Sequence, residues 1–301
     1  MNVSHHAIKR RLLDLQTPTG QPYNLLLVRY AQERALYRIS KSKHVDRFMI
    51  KGGMLVTSLT ANLSRATRDI DARAEFDISI EGTRAIVNEA LSISVEPDGL
   101  EFLVAEMTLE RLDAGSDYGG VRCLIPVALG KERVSIQIDL SVGHSVYQPM
   151  HFDFPTLIDG LPPARLLAYS RESVIAEKLE AIAKLGDENG RYRDFADIVT
   201  ISENFDFRAG PLWTAIEMTF GKRGTDFGTL AAAIDPSAAT DERERHYAIF
   251  RRRDHAHGAP PSLAECMTKI GTFLEGARMF GADATEREWD KARRIWGAVE
   301  I

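Results

Sequence analysis

Cysteine is scarce in this sequence: two in 301 residues, Cys123 and Cys266, far apart. Two isolated thiols make neither a disulfide framework nor a zinc knuckle, so both are expected as buried free cysteines. Long apolar runs are missing too. No stretch approaches the roughly 18 residues a membrane span needs, and the opening MNVSHHAIKRRLLDLQ has no apolar segment followed by a small-residue cleavage site. A cytoplasmic protein with no membrane partner is the expectation. There is no surplus of positive charge: 38 Lys and Arg stand against 43 Asp and Glu, a net charge of −5. A protein that coats long duplex DNA is usually basic, so that role is disfavoured, whereas a compact RNA partner is not excluded. Internal repeats, low-complexity tracts, a Walker G-x-x-x-x-G-K-[ST] motif and a dinucleotide G-x-G-x-x-G fingerprint are likewise absent.

What is present is ordinary globular composition, 44% hydrophobic and 27% charged. A single core rarely grows much beyond about 250–300 residues, so two lobes sharing a cleft are expected. Apolar spacing of three and four predicts helices over 5–16, 23–41, from Gly52 to about Leu63, and over 82–91. Strands are expected at 48–50, 68–74, 101–112, 119–129 and 132–142, the last two joined by the turn Leu129-Gly130-Lys131. Pro149, Pro155, Pro162 and Pro163 punctuate what reads as a connecting segment. Helices are then expected over 171–186, 190–203, 211–220, 225–234, 239–252, 261–280 and 285–298. The fold class is therefore α+β: a mixed sheet with flanking helices over 1–160, then an all-helical lobe over 161–301 that completes an active-site cleft.

The segment from Arg65 to Asp71 is the most informative. Residues two apart on a strand share a side, so Asp69 and Asp71 project together while Ile70 faces the core. Neighbouring carboxylates repel, and a hard divalent cation, Mg2+ or Mn2+, is their natural guest. An isolated D-x-D reads more readily as an exposed edge strand with solvated aspartates. Here Asp139 interrupts an apolar strand and offers a third acid, and three carboxylates can hold the metal ions of phosphoryl chemistry. Gly52-Gly53 between a strand and a helix suits a phosphate, with Lys51 adding a point charge and Ser58 or Thr57 a hydroxyl. On its own such a turn is usually only a turn. Further on, Glu177-Lys178 flanks a buried stripe, and Arg191, Asp194 and Asp197 share a helix face; a snorkelling lysine and a capped helix with local ion pairs read equally well.

Taken in order, these segments resemble the AbiEii/MenT family of nucleotidyltransferase toxins in the polymerase-beta-like superfamily, over residues 48–200. Gly52, Gly53, Asp69 and Asp71 look like its first motif and Asp139 its second. Glu177-Lys178 with Leu179 and Ala181 resembles the third, and Arg191, Arg193, Asp194 and Asp197 the fourth. The first motif often carries a hydroxyl residue where this chain has Met54, and the second a lysine where it has Gln137. The resemblance implies a metal-dependent toxin of a toxin–antitoxin system. It would transfer a nucleoside monophosphate from an NTP, with release of pyrophosphate, to the 3′ acceptor end of tRNA, and so block translation. A cognate antitoxin would be a partner. Asp69, Asp71 and Asp139 would bind metal, and Asp194 would act in catalysis, as base for the attacking hydroxyl. Lys178 would hold the triphosphate, with Lys51, Gly52, Gly53, Ser58 and Arg65 as further nucleotide contacts. Thr67 resembles the place of a regulatory phosphate, while residues beyond about 205 match no motif.

Other readings stay open: transfer to a small molecule or a protein hydroxyl, or a catalytically degenerate binding module. The run Arg251–Arg253, near Arg243, Arg245 and His246, is either an RNA phosphate contact or a solvated helix face, and His255 and His257 read as polar loop.

Overall fold

The computed structural model describes residues 4–62, 65, 67, 69–112, 119–143, 146–186, 190–254, 256, 258–278 and 287–298. His255 and His257 lie outside the described residues. The chain divides into two units, one of residues 1–143 and 150–168, the other of residues 144–149 and 169–301.

In chain order the first unit contains α1 (His5–Asp14), α2 (Gln16–Thr19), α3 (Tyr23–Lys41), β1 (Phe48–Lys51), α4 (Gly52–Thr60), β2 (Asp69–Ala74) and α5 (Ile80–Leu91). There follow β3 (Leu100–Phe102), β4 (Thr108–Leu112), β5 (Gly120–Leu129), β6 (Glu132–Ser141), β7 (Met150–Phe154) and β8 (Ala164–Ala168). The strands form one mixed sheet in the order β3-β5-β6-β2-β1-β8-β7, with β4 also paired to β5. Alternation sets its faces. Val121, Cys123, Ile125 and Val127 of β5, Ile136, Ile138 and Leu140 of β6, and Ile70 and Ala72 of β2 are wholly buried. Each buried aliphatic side chain contributes about 1.5–3 kcal/mol. A one-residue slip of β2 would exchange Ile70 and Ala72 for aspartates, so the apolar face fixes the register that places the acids on the other.

Two expectations need correcting here. The strand expected over 101–112 is two strands separated by a turn at Val104–Glu106. The proline-punctuated connector carries β7 and β8, which extend the sheet beyond β1; its prolines stand beside these strands, where no ladder N–H is lost. Helix α3 is buried along most of its length and includes Glu33, whose carboxylate accepts from the Leu157 N–H at 2.8 Å and from Arg29 Nε at 3.1 Å. Burial still pushes Glu33 up to about 7.

The second unit is mainly helical: α6 (Arg171–Leu185), α7 (Tyr192–Asn204), the two-residue β9 (Phe207–Arg208), α8 (Ala209–Arg223), α9 (Gly228–Ala233), α10 (Asp241–Arg253) and α11 (Leu263–Arg278). It is not all-helical. In place of the helix expected over 285–298, β10 (Arg287–Asp290) and β11 (Ile295–Ala298) form a hairpin against β9. Trp289 and Trp296 are seven apart, a helical spacing, yet they pair directly across this hairpin, so both structures put the two rings on one side. Packing of Trp289 on Phe273, with centroids 5.0 Å apart, and the bond from its indole N–H to the Ser202 carbonyl at 2.7 Å favour the hairpin. Cys123 and Cys266 are buried and free, as expected. No described helix is long and apolar enough to cross a membrane.

Candidate active site

Four strands bring the acidic residues together. In the sheet register Lys51 of β1 stands opposite Asp71 of β2, Asp71 beside Asp139 of β6, and Asp139 opposite Arg122 of β5. Asp69 lies on the same side of β2, one row along, beside Gln137. One ligand oxygen from each of Asp69, Asp71 and Asp139 falls within 4.8 Å of the others. The three side chains are partly buried and the donor set is all oxygen, which fits a hard divalent cation with bonds of about 2.1 Å after a small contraction. Asp71 carries the mark of this crowding. Burial, then the neighbouring Asp69 charge, push its carboxyl up to about 6, against the opposing pull of Lys51 and of the Gly53 N–H that donates to it.

The glycine turn lies directly on Asp71. Gly52 has φ +63°, and a Cβ there would fall 2.0 Å from Asp71 Oδ2, so both backbone conformation and space exclude any other residue. Gly53 is almost as confined: a Cβ would meet Thr67 Oγ1 at 2.8 Å and Arg65 Nη1 at 3.0 Å. Arg65 donates to the Gly53 carbonyl at 2.9 Å and to Thr57 Oγ1 at 3.1 Å, tying the start of α4 to the loop before β2. Thr67 is buried, its hydroxyl donating to the Asp69 carbonyl at 3.2 Å. Lys51, Gly52, Gly53 and Arg65 are thus gathered around the acids. Ser58 is not: it is buried six residues into α4, about 9 Å along the helix axis from Gly52. Its hydroxyl does not belong to the turn.

Arg122 was not singled out by its sequence context. Its Nε donates to Asp139 Oδ1 at 2.9 Å and its Nη2 to Oδ2 at 2.8 Å, while Gln137 Nε2 also donates to Oδ2 at 3.0 Å. These bonds hold the guanidinium protonated. A signal did exist: with Leu129 opposite Glu132 across the hairpin turn, counting seven residues back along each strand sets Arg122 against Asp139.

In the second unit, Lys178 of α6 lies between two acids of α7, its Nζ 2.7 Å from Asp194 Oδ1 and 2.8 Å from Asp197 Oδ2. Arg191 adds a contact to Asp194 Oδ2 at 3.0 Å. Glu177, beside Lys178 in sequence, faces elsewhere and pairs with Arg223 at 2.6 Å. In the basic run of α10, Arg252 and Arg253 are exposed and several neighbours have partners of their own. Arg243 is buried and bonds the Ala238 carbonyl, Arg251 bonds the Pro261 carbonyl, and Arg253 pairs with Asp254 at 2.9 Å.

Residues 34–269 match the family model described as nucleotidyl transferase AbiEii toxin, type IV toxin–antitoxin system. That span runs well past residue 205, where the motifs end. No curated protein sequence matches the chain. Among solved structures, MenT4, a nucleotidyltransferase toxin from Mycobacterium tuberculosis H37Rv, is similar at 14% identity and a TM-score of 0.49, covering 89% of this chain and 99% of its own. JHP933 from Helicobacter pylori is similar at 16% identity and 0.48, over 83% of this chain and 90% of its own. An antigenic nucleotidyltransferase-like protein from Paracoccidioides brasiliensis is similar at 15% identity and 0.38, over 68% and 92%. The family match covers well over half of the sequence, and on it the chain belongs to the AbiEii nucleotidyltransferase toxins of toxin–antitoxin systems.

Proposed function

We propose that the protein transfers a nucleoside monophosphate from an NTP to the 3′-terminal hydroxyl of tRNA inside the cell, with Mg2+ or Mn2+ at Asp69, Asp71 and Asp139, and that a cognate antitoxin restrains it. One observation carries this reading: three carboxylates from two strands converge beside a glycine turn, in a chain of a nucleotidyltransferase family. A cation held there would supply charge neutralisation of the phosphates. The attacking hydroxyl forms a bond to the α-phosphorus and gives up its proton to a carboxylate base, Asp194 by resemblance, while the bond from that phosphorus to the bridging oxygen breaks and pyrophosphate leaves.

The chain's own residues have separable tasks. Gly52 and Gly53 allow backbone to approach the phosphates without a side chain in the way. Arg65 keeps that turn in place, and Lys51 tempers the charge of Asp71. Lys178 supplies positive charge for the triphosphate, and Asp194 and Asp197 orient its ammonium. Asp194 accepts from Lys178 Nζ at 2.7 Å, a contact that supports a role in holding Lys178 beside its role as base for the attacking hydroxyl. A phosphate on Thr67 would set two negative charges next to Asp69 and oppose nucleotide entry.

The test is incubation of the purified protein with each α-labelled NTP, Mg2+ or Mn2+, and tRNA, small-molecule and protein acceptors in parallel. Label on the tRNA 3′ end, lost in Asp69→Ala protein that stays folded by circular dichroism, is expected. Label on another acceptor alone would replace tRNA. No transfer and no pyrophosphate with any nucleotide would leave the degenerate binding module.

A further inference from the structure

Among the described residues, Asp139 has a crowded carboxylate. Oδ2 accepts from both Arg122 Nη2 and Gln137 Nε2, and Oδ1 accepts from Arg122 Nε. An ionised carboxylate offers about four lone-pair positions, so three of them are taken and one, on Oδ1, is left for a cation. Arg122 also brings a full positive charge in a planar fork matched to the carboxylate, and is itself steadied by Glu110 at 3.5 Å. In strand order this charge stands on the far side of Asp139 from Asp71, so it does not close the gap between the acids; it takes one of them partly out of use.

We infer that Arg122 is a positioning residue that makes Asp139 the weak ligand of the trio, so that the nucleotide-free protein grips a divalent cation loosely and the cation arrives together with the triphosphate. This rests on the reading of Asp69, Asp71 and Asp139 as the cation site. With Arg122 in place, Asp69 and Asp71 do most of the holding and Asp139 contributes one oxygen in a set direction. With the guanidinium removed, Asp139 has its full charge and both oxygens available, and the same site should hold a free cation more firmly.

The experiment is titration of the full chain with Mn2+ in the absence of nucleotide, following free Mn2+ by electron paramagnetic resonance, for the wild type, Arg122→Gln, Arg122→Lys and the double variant Asp69→Asn/Asp71→Asn. Arg122→Gln is expected to bind Mn2+ about tenfold more tightly than wild type. Arg122→Lys, which restores charge without the fork, should fall between the two. Loss of a merely structural ion pair would lower Tm without tightening Mn2+ binding. Equal or weaker binding in both Arg122 variants, with the double variant still losing Mn2+, overturns the inference and leaves the cation site standing. Binding unchanged in the double variant overturns the cation site itself, and this inference with it. Should Arg122→Gln fail to fold, the lysine variant decides alone, since affinity at or below wild type contradicts the proposed role of the fork.

Discussion

In the second unit Lys178 sits between Asp194 and Asp197, within 2.8 Å of each, whereas in the first unit Lys51 and Arg122 stand in strand order outside Asp71 and Asp139. Both clusters set acids close together in surroundings that penalise charge. In the first, burial and then the neighbouring Asp69 charge make Asp71 hard to ionise, against the opposing pull of Lys51. The second carries its cation at the centre. Three converging acids mark a place for a charge from outside, while a lysine between two acids marks a group held ready.

This contrast can be broken most sharply by activity. Asp69→Ala and Asp71→Ala should each lower nucleotide transfer by about a thousandfold or more while the fold survives, measured as label transfer alongside circular dichroism. Retention of most activity in either would remove that acid from the site. Stability should next separate the clusters by sign. Asp194→Asn deprives a buried ammonium of a partner and should destabilise by about 3 kcal/mol or more. Asp71→Asn relieves repulsion and should leave Tm of the metal-free protein level or raised; a large fall would show Asp71 to be structural.

Gly52→Ala should cost at least about 1–2 kcal/mol from its backbone conformation alone, beyond the collision with Asp71, and should abolish transfer. Thermal melts of that variant with wild-type stability would contradict the packing described. The smallest effect is in pH. Asp71 and Glu33 bind protons more tightly folded, at about 6 and about 7, than at their ordinary values of 3.8 and 4.5. Ionising them as pH rises therefore costs the folded state, and Tm of the metal-free protein should fall between about pH 5 and pH 8. Mg2+ should raise Tm more at pH 8 than at pH 5, because protons compete for Asp71. An equal shift at both would place the ion elsewhere.

Much of the first cluster was legible in the linear sequence because it is built from local rules. Two-residue alternation puts Asp69 and Asp71 on one side of a strand, and Ile138 and Leu140 bracket Asp139 as they would in any sheet. The second cluster was legible in part, since helical spacing relates Asp194 to Asp197 but cannot bring Lys178 to them from another helix. Where local rules were ambiguous, reading failed. Trp289 and Trp296 satisfy a helix and a hairpin alike, and the prolines around β7 and β8 looked like linker.

The order of residues alone thus determined which acids could face the same way and the family to which the chain belongs, while the need for glycine at Gly52 shows only in its φ and its approach to Asp71. Tertiary structure decided what stands next to Asp139, because Arg122 reaches it only when two strands pair; it also built a small sheet where helix was expected. The reason is physical: alternation and periodicity are properties of neighbours along the chain, whereas the partner of a charge is chosen across it, by packing that spends no signal on any single residue.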